Sequence, residues 1–178
     1  MSEHSTTAAD ALQVTVAEAS PGEFRAMMSG FPTGVGVVTS VDAEGAPWGM
    51  TCSSVCSVAL APPTLLVCLR SGSPTLGAAL DRGAFTVNLL HEGAQDAAEL
   101  FASGNPHRFD LLPWEQDPDA SGPHLVRDAH TVADCGVSLT QTVGDHVIVF
   151  GGVRRIVRHR PRPPLLYGLR QFRPWSDT

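Results

Sequence analysis

Four short stretches of this sequence gather residue types that could hold a small anionic ligand. In RSGSPT (70–75), Arg70 supplies a cation and Ser71 and Ser73 supply hydroxyls ahead of a helix start at Pro74. Unpaired N–H groups at that start complete a set suited to phosphate. An ordinary capped loop would read the same way. In TCSS (51–54), Thr51, Cys52, Ser53 and Ser54 place hydroxyls and small side chains mid-strand, where a barrel wants large apolar residues. A flat ligand could approach the backbone there, although a half-exposed strand also alternates like this. HRF (107–109) offers Arg108 as a second anion anchor and Phe109 as a stacking lid. In GDH (144–146), His146 follows a turn that Asp145 could serve without any chemical role.

The common alternatives fail on pattern. GVGVVT (34–39) has two glycines of a dinucleotide fingerprint but lacks the third small residue and leads into a strand rather than a helix. The sequence has no GxxxxGK[ST], HExxH or GxSxG motif. Cys52, Cys56, Cys68 and Cys135 form no CxxC pair and have no companions at zinc-like spacing, so free thiols and no metal are expected.

The elements that must position these stretches are mostly strands. Residues 1–19 are polar and alanine-rich and read as a flexible arm ahead of one domain over 20–175. Ser20, Pro21 and Glu23 make a capping box for a first helix, with Phe24, Met27, Met28 and Phe31 at helical spacing and Gly30-Pro32 as the stop. The period then changes to two. Strands are expected at 35–42, through WGMTCSSVCSVAL (48–60) as one run, at 64–70 buried on both faces, and at 84–90. Short helices follow Ser73 and span 93–102. A long Pro-, Asp- and Gly-rich stretch from Gly104 to Pro123 should cover something or carry function. Three further β segments end the chain, giving a single-domain β-barrel with peripheral helices.

Composition narrows the partners. A hydrophobic content of 43% fits a globular chain, and no apolar run reaches the length of a membrane span. The N-terminus lacks a signal-peptide pattern, so a cytoplasmic protein is expected. A net charge of −6 argues against nucleic acid as a partner. All twelve cations are arginine, and seven of them lie from Arg154 onward; they read either as a solvated late strand and tail or as a phosphate or partner contact.

Taken in order, FPTGVGVVTS (31–40), GMTCSSVCSVALAPP (49–63), LRSGSPT (69–75), FTVNLL (85–90), HRF, GDH and PLLY (164–167) resemble the short-chain flavin reductase family. These are the reductase halves of two-component flavin-dependent monooxygenases, and the resemblance runs from Phe24 to about Tyr167. It implies an FMN-binding split β-barrel, a homodimer with the flavin in a groove near the interface, FAD or FMN as the flavin, and NADH or NADPH as hydride donor. It also implies a monooxygenase that receives the reduced flavin. By position, Thr33, Gly34 and Val35 would lie near the isoalloxazine, and Thr51, Cys52, Ser53 and Ser54 along its edge. Arg70, Ser71 and Ser73 would take the phosphate with Asn88 in support, and Arg108 and Phe109 the flavin tail or the nicotinamide. His146 and Tyr167 would form the nicotinamide side. The chain departs from the pattern at Val55, Cys56 and His107, and after Tyr167, where GLRQF replaces a polar, arginine-bearing ending. A non-catalytic flavin-binding protein, a pyridoxamine-phosphate oxidase-like enzyme and a haem binder are the other occupants of such a barrel.

Overall fold

A computed structural model describes residues 18–116 and 118–175, so most of the expected N-terminal arm lies outside the described residues. Helix α1 (Pro21–Ser29) starts as its sequence dictates. Glu23 N–H donates to Ser20 Oγ at 3.2 Å, and Ser20 N–H donates to the Glu23 carboxylate at 2.9 Å. Its apolar stripe, however, is not buried: Phe24 is 57% exposed, and Met27 and Phe31 are each 63% exposed.

Ten strands follow: β1 (Thr33–Gly34), β2 (Gly36–Val41), β3 (Pro47–Cys52), β4 (Val55–Leu60), β5 (Pro63–Arg70), β6 (Ala84–Leu90), β7 (Ala129–Val143), β8 (His146–Arg158), β9 (Leu165–Gly168) and β10 (Gln171–Pro174). Helices α2 (Pro74–Arg82) and α3 (Gln95–Ala102) flank β6. Seven strands form one antiparallel sheet in the order β3-β2-β6-β7-β8-β5-β4, and β1-β9-β10 form a second. Strands β3 and β4 are the two edges of the large sheet, yet only Ser53 and Ser54 separate them in the chain. Two residues span roughly 10 Å at most, so the edges must come together and the sheet must curl into a barrel. The long strands β7 and β8 make the bend, with register shifts after Asp134 and after Val137.

This closure corrects two expectations. The run 48–60 is two strands, because Ser53 and Ser54 leave the ladder to cross between edges, with Cys68 N–H donating to Ser54 O at 3.3 Å. Strand β5 buries only Val67 and Leu69, and its opposite face (Leu66, Cys68) is half-buried. An antiparallel strand needs only one face against a core, and no layer of the described chain covers the other.

The core has two parts. One lies inside the barrel around Val38, Val67, Leu69, Phe85, Val87 and Val149. The other packs α3 and the long loop onto β2 and β9 through Val37, Phe101, Phe109, Leu125 and Leu165. A buried polar clasp fixes that loop. Asn88 Nδ2 donates to Val37 O, Thr39 Oγ1 and Pro123 O, while its Oδ1 accepts from Leu125 N–H at 2.8 Å. Beside it, Asp134 accepts from Thr86 Oγ1, Ser121 N–H, His124 Nε2 and Arg155 Nε at 2.7–3.0 Å. Burial pushes the Asp134 carboxyl up, but those donors outweigh it and hold the group well below the usual carboxylate range. No helix among the described residues is long and apolar enough to cross a membrane.

Candidate active site

The barrel end formed by β3, β5 and the β7–β8 hairpin gathers many of the residues singled out in the sequence. Arg70, the last residue of β5, pairs in register with His146, the first of β8, so cation and imidazole are cross-strand neighbours. The hairpin turn is tied to the next loop by Ser71 N–H, which donates to Asp145 O at 2.9 Å. Ser73 then caps α2, its Oγ accepting from Leu76 N–H at 3.2 Å, and Pro74 occupies the first turn. Facing them are the C-terminal end of α3 and the start of the long loop.

Between these elements lies a groove with two lobes. The first, of about 530 Å³, is lined by Arg70, Ser73, Thr75, Arg108 and His146, with Trp48 and Met50 from β3 as its apolar wall. The second, of about 400 Å³, is lined by Val35, Ser53, Glu99, Ser103, Tyr167 and Phe172. Thr51 and Ala102 border both, so the lobes are continuous. Tyr167 and Phe172 face each other across the β9–β10 hairpin with ring centres 5.0 Å apart. That hairpin turns through Leu169 and Arg170, both at positive φ, as two-residue turns of this kind require.

The electrostatics divide the lobes. The Arg70 and Arg108 side chains make no hydrogen bond or ion pair within the described residues, and partial burial draws the Arg108 guanidinium below its ordinary value. Two guanidinium groups beside a helix N-terminus, with only the Asp145 carboxylate acting on Arg70, can receive an anion. His146 Nδ1 lies 2.8 Å from Asp145 Oδ1, and that hydrogen bond holds the Asp145 carboxyl below the usual range. The Thr51 hydroxyl donates to Ala98 O at 2.6 Å, which leaves only its lone pairs for a ligand donor. The second lobe is largely apolar and can take a planar ring against Tyr167 and Phe172.

Most of the sequence-predicted residues meet here: Val35, Thr51, Ser53, Arg70, Ser73, Arg108, His146 and Tyr167 line the groove. Thr33 and Gly34 pair with Tyr167 and Leu166 behind the second lobe, and Ser71 acts through its backbone. Four residues lie elsewhere. The Cys52 side chain is buried in the barrel core, where burial pushes its thiol up, so only its backbone remains for a ligand. Its neighbour Ser54 spends its hydroxyl on Cys68 O at 3.2 Å. Asn88 is fully buried with both ends of its amide engaged, and has nothing left for a phosphate. Phe109 is no lid: it is packed edge-on between Phe101 and Trp114 at 5.0 and 5.7 Å, beneath the groove.

Sequence reasoning missed Glu99, Ala102 and Ser103, though their i, i+3, i+4 spacing marks the face of α3 opposite the buried Ala97, Ala98 and Phe101. It also missed Phe172, which reaches the groove only because β10 folds back on β9.

The flavin reductase like domain model matches residues 28–176. The chain belongs to the flavin reductase-like family. It is 48% identical over 160 residues to a flavin reductase (NADPH) of Lentzea aerocolonigenes, covering 90% of this chain and 93% of that one. It is 31% identical over 167 residues to the flavin-dependent monooxygenase reductase subunit HsaB of Rhodococcus jostii, covering 88% and 84%. The solved NADH:FAD oxidoreductase SgcE6 of Streptomyces globisporus C-1027 superposes with a TM-score of 0.81 at 29% identity, covering 91% of this chain and 99% of that one.

Proposed function

We propose that this flavin reductase binds a free flavin nucleotide with its phosphate in the Arg70–Arg108 lobe and its ring toward Thr51 and the aromatic lobe. The observation that carries the reading is the pairing of a cationic lobe with an apolar one across a shared Thr51. A flavin nucleotide has that same division between a phosphate and a planar ring. When bound, the flavin accepts at N5 a hydride from C4 of NADH or NADPH. The chain supplies position and exclusion of water. Arg70, Arg108 and the start of α2 anchor the phosphate, and Thr51 accepts from the ring edge. Tyr167 and Phe172 wall the space in which the donor carbon and the acceptor nitrogen must come within about 3–3.5 Å. His146, held by Asp145, borders the Arg70–Arg108 lobe, and in this proposal the nicotinamide approaches past it.

FAD is the flavin favoured here, with FMN the alternative, and a monooxygenase takes up the reduced flavin in the cytoplasm. NADH or NADPH oxidation by the purified protein should rise far above background on adding FAD or FMN. A rate that stays at background with all four combinations overturns the reading.

The protein acts as a homodimer in this proposal. The exposed stripe Phe24, Met27, Met28 and Phe31 is too large an apolar face to leave in water. A second apolar hollow of about 300 Å³ opens between β4–β5 and β6–β8 at Val55, Leu60, Leu65, Leu89 and Ile156. Sedimentation at micromolar concentration should give twice the chain mass; a monomer there refutes the dimer.

A further inference from the structure

The late arginines that the flavin groove does not use converge on a second cleft. Strand β8 is antiparallel to β7 and runs twelve residue steps from His146 to Arg158, about 40 Å at strand rise, so its far end is remote from Arg70 in the same chain. There Arg158 pairs with Thr131, and His159 N–H donates to His130 O at 3.0 Å, forming the cleft floor. The segment Pro161–Pro164 rises as a wall and is tied back by a bridge between Pro164 and His91 and by Glu92 N–H donating to Pro163 O at 2.8 Å. Two adjoining hollows result, of about 450 and 490 Å³, and both are lined by His159 and Arg162. His130 and Arg158 complete the first, and Arg127 and Arg160 the second.

Four arginines thus border these two adjoining hollows in a chain whose net charge is −6. Arg158 and Arg160 have no ion-pair partner among the described residues, and Arg127 acts electrostatically on the Asp128 carboxylate beside it. Arg162 is held only weakly. Its nearest carboxylate, Glu92, is 3.7 Å away. Its other close neighbour, His91 Nε2 at 3.1 Å, carries a proton, because His91 Nδ1 accepts from Gly93 N–H while Nε2 donates to Arg127 O at 2.7 Å. The Arg162–His91 approach is therefore donor against donor. His159 Nε2 is shut off from solvent with no hydrogen-bond partner. The nearby carboxylates of Asp128 and Glu92 line neither hollow. Four arginines with only Glu92 and Asp128 as nearby carboxylates, bordering one concave region, call for an anion with several oxygens. The walls carry proline and imidazole but no large aromatic ring, which favours a phosphate group over a stacked base.

We propose that this cleft is a second anion site that binds a compact diphosphate group, separate from the flavin groove. The assignment does not depend on which nucleotide the groove takes. Calorimetric titration of inorganic pyrophosphate into flavin-saturated protein tests it, with sodium chloride at matched ionic strength as control. Saturable binding is expected, weakened at least tenfold by Arg158→Gln on β8 and independently by Arg162→Gln in the proline segment, with flavin reduction unchanged in both. The absence of saturable binding overturns the proposal. So does binding that survives both substitutions, or binding lost in Arg70→Ala while both cleft variants retain it, which would place the anion in the flavin lobe.

Discussion

The clasp around Asn88 and Asp134 and the groove around Arg70 and Arg108 are made from the same kinds of residue, but their hydrogen bonding differs. In the clasp, Asn88 engages both ends of its amide and Asp134 collects four donors, all inside the chain. In the groove, the guanidinium groups make no hydrogen bond or ion pair among the described residues and Thr51 keeps lone pairs open. A polar residue marks a binding site when its hydrogen-bonding capacity is unspent, and a structural joint when it is spent.

Removing a member of each cluster should separate the two roles. Asp134→Ala removes one acceptor shared by four donors, and should cost about 3–5 kcal/mol of stability, read from the urea midpoint. The folded fraction should still reduce flavin. Because the folded Asp134 pKa lies below the unfolded value of about 4, its contribution is present above that pH and is lost as pH falls further. Wild-type stability should therefore drop more steeply below about pH 4 than that of Asp134→Asn. Arg70→Ala should do the reverse. Losing a charged hydrogen bond of about 1.5–3 kcal/mol raises the flavin KM roughly 10- to 100-fold with little change in the urea midpoint. Equal stability losses in both variants would erase the distinction.

The same comparison explains what the sequence revealed. The capping box of α1, the β6 boundaries and the serine cap of α2 were legible because each is local: a capping residue, a run of β-branched residues, a serine before Pro74. The break at Ser53-Ser54 was not, since nothing local distinguishes a strand that continues from one that crosses between the edges of a closing sheet. Asn88 was assigned to the ligand by the family resemblance, and Phe109 by its aromatic ring in the HRF loop. Their side chains point into packing that only the fold of residues 104–128 creates. Phe109→Leu tests this. As a core residue beneath the groove, it should cost about 1–1.5 kcal/mol of stability. A lid would instead change the KM for flavin or NAD(P)H and leave the melting point alone.

The smallest expected effect lies at the rim. Asp145 Oδ1 accepts from His146 Nδ1 at 2.8 Å, which leaves Nε2 as a lone-pair acceptor on the neutral ring. Such an atom can receive an N–H from a nicotinamide carboxamide but cannot anchor a phosphate. His146→Ala should thus lower kcat/KM for NAD(P)H about 3- to 10-fold, the size of one neutral hydrogen bond, and leave the flavin KM unchanged. Asp145→Ala should produce a weaker version of the same change, since the imidazole keeps its place in β8 and loses only the contact that fixes its tautomer. If His146→Ala raises the flavin KM instead, the imidazole serves the phosphate lobe with Arg70, and the division of the groove into a flavin side and a nicotinamide side has to be redrawn.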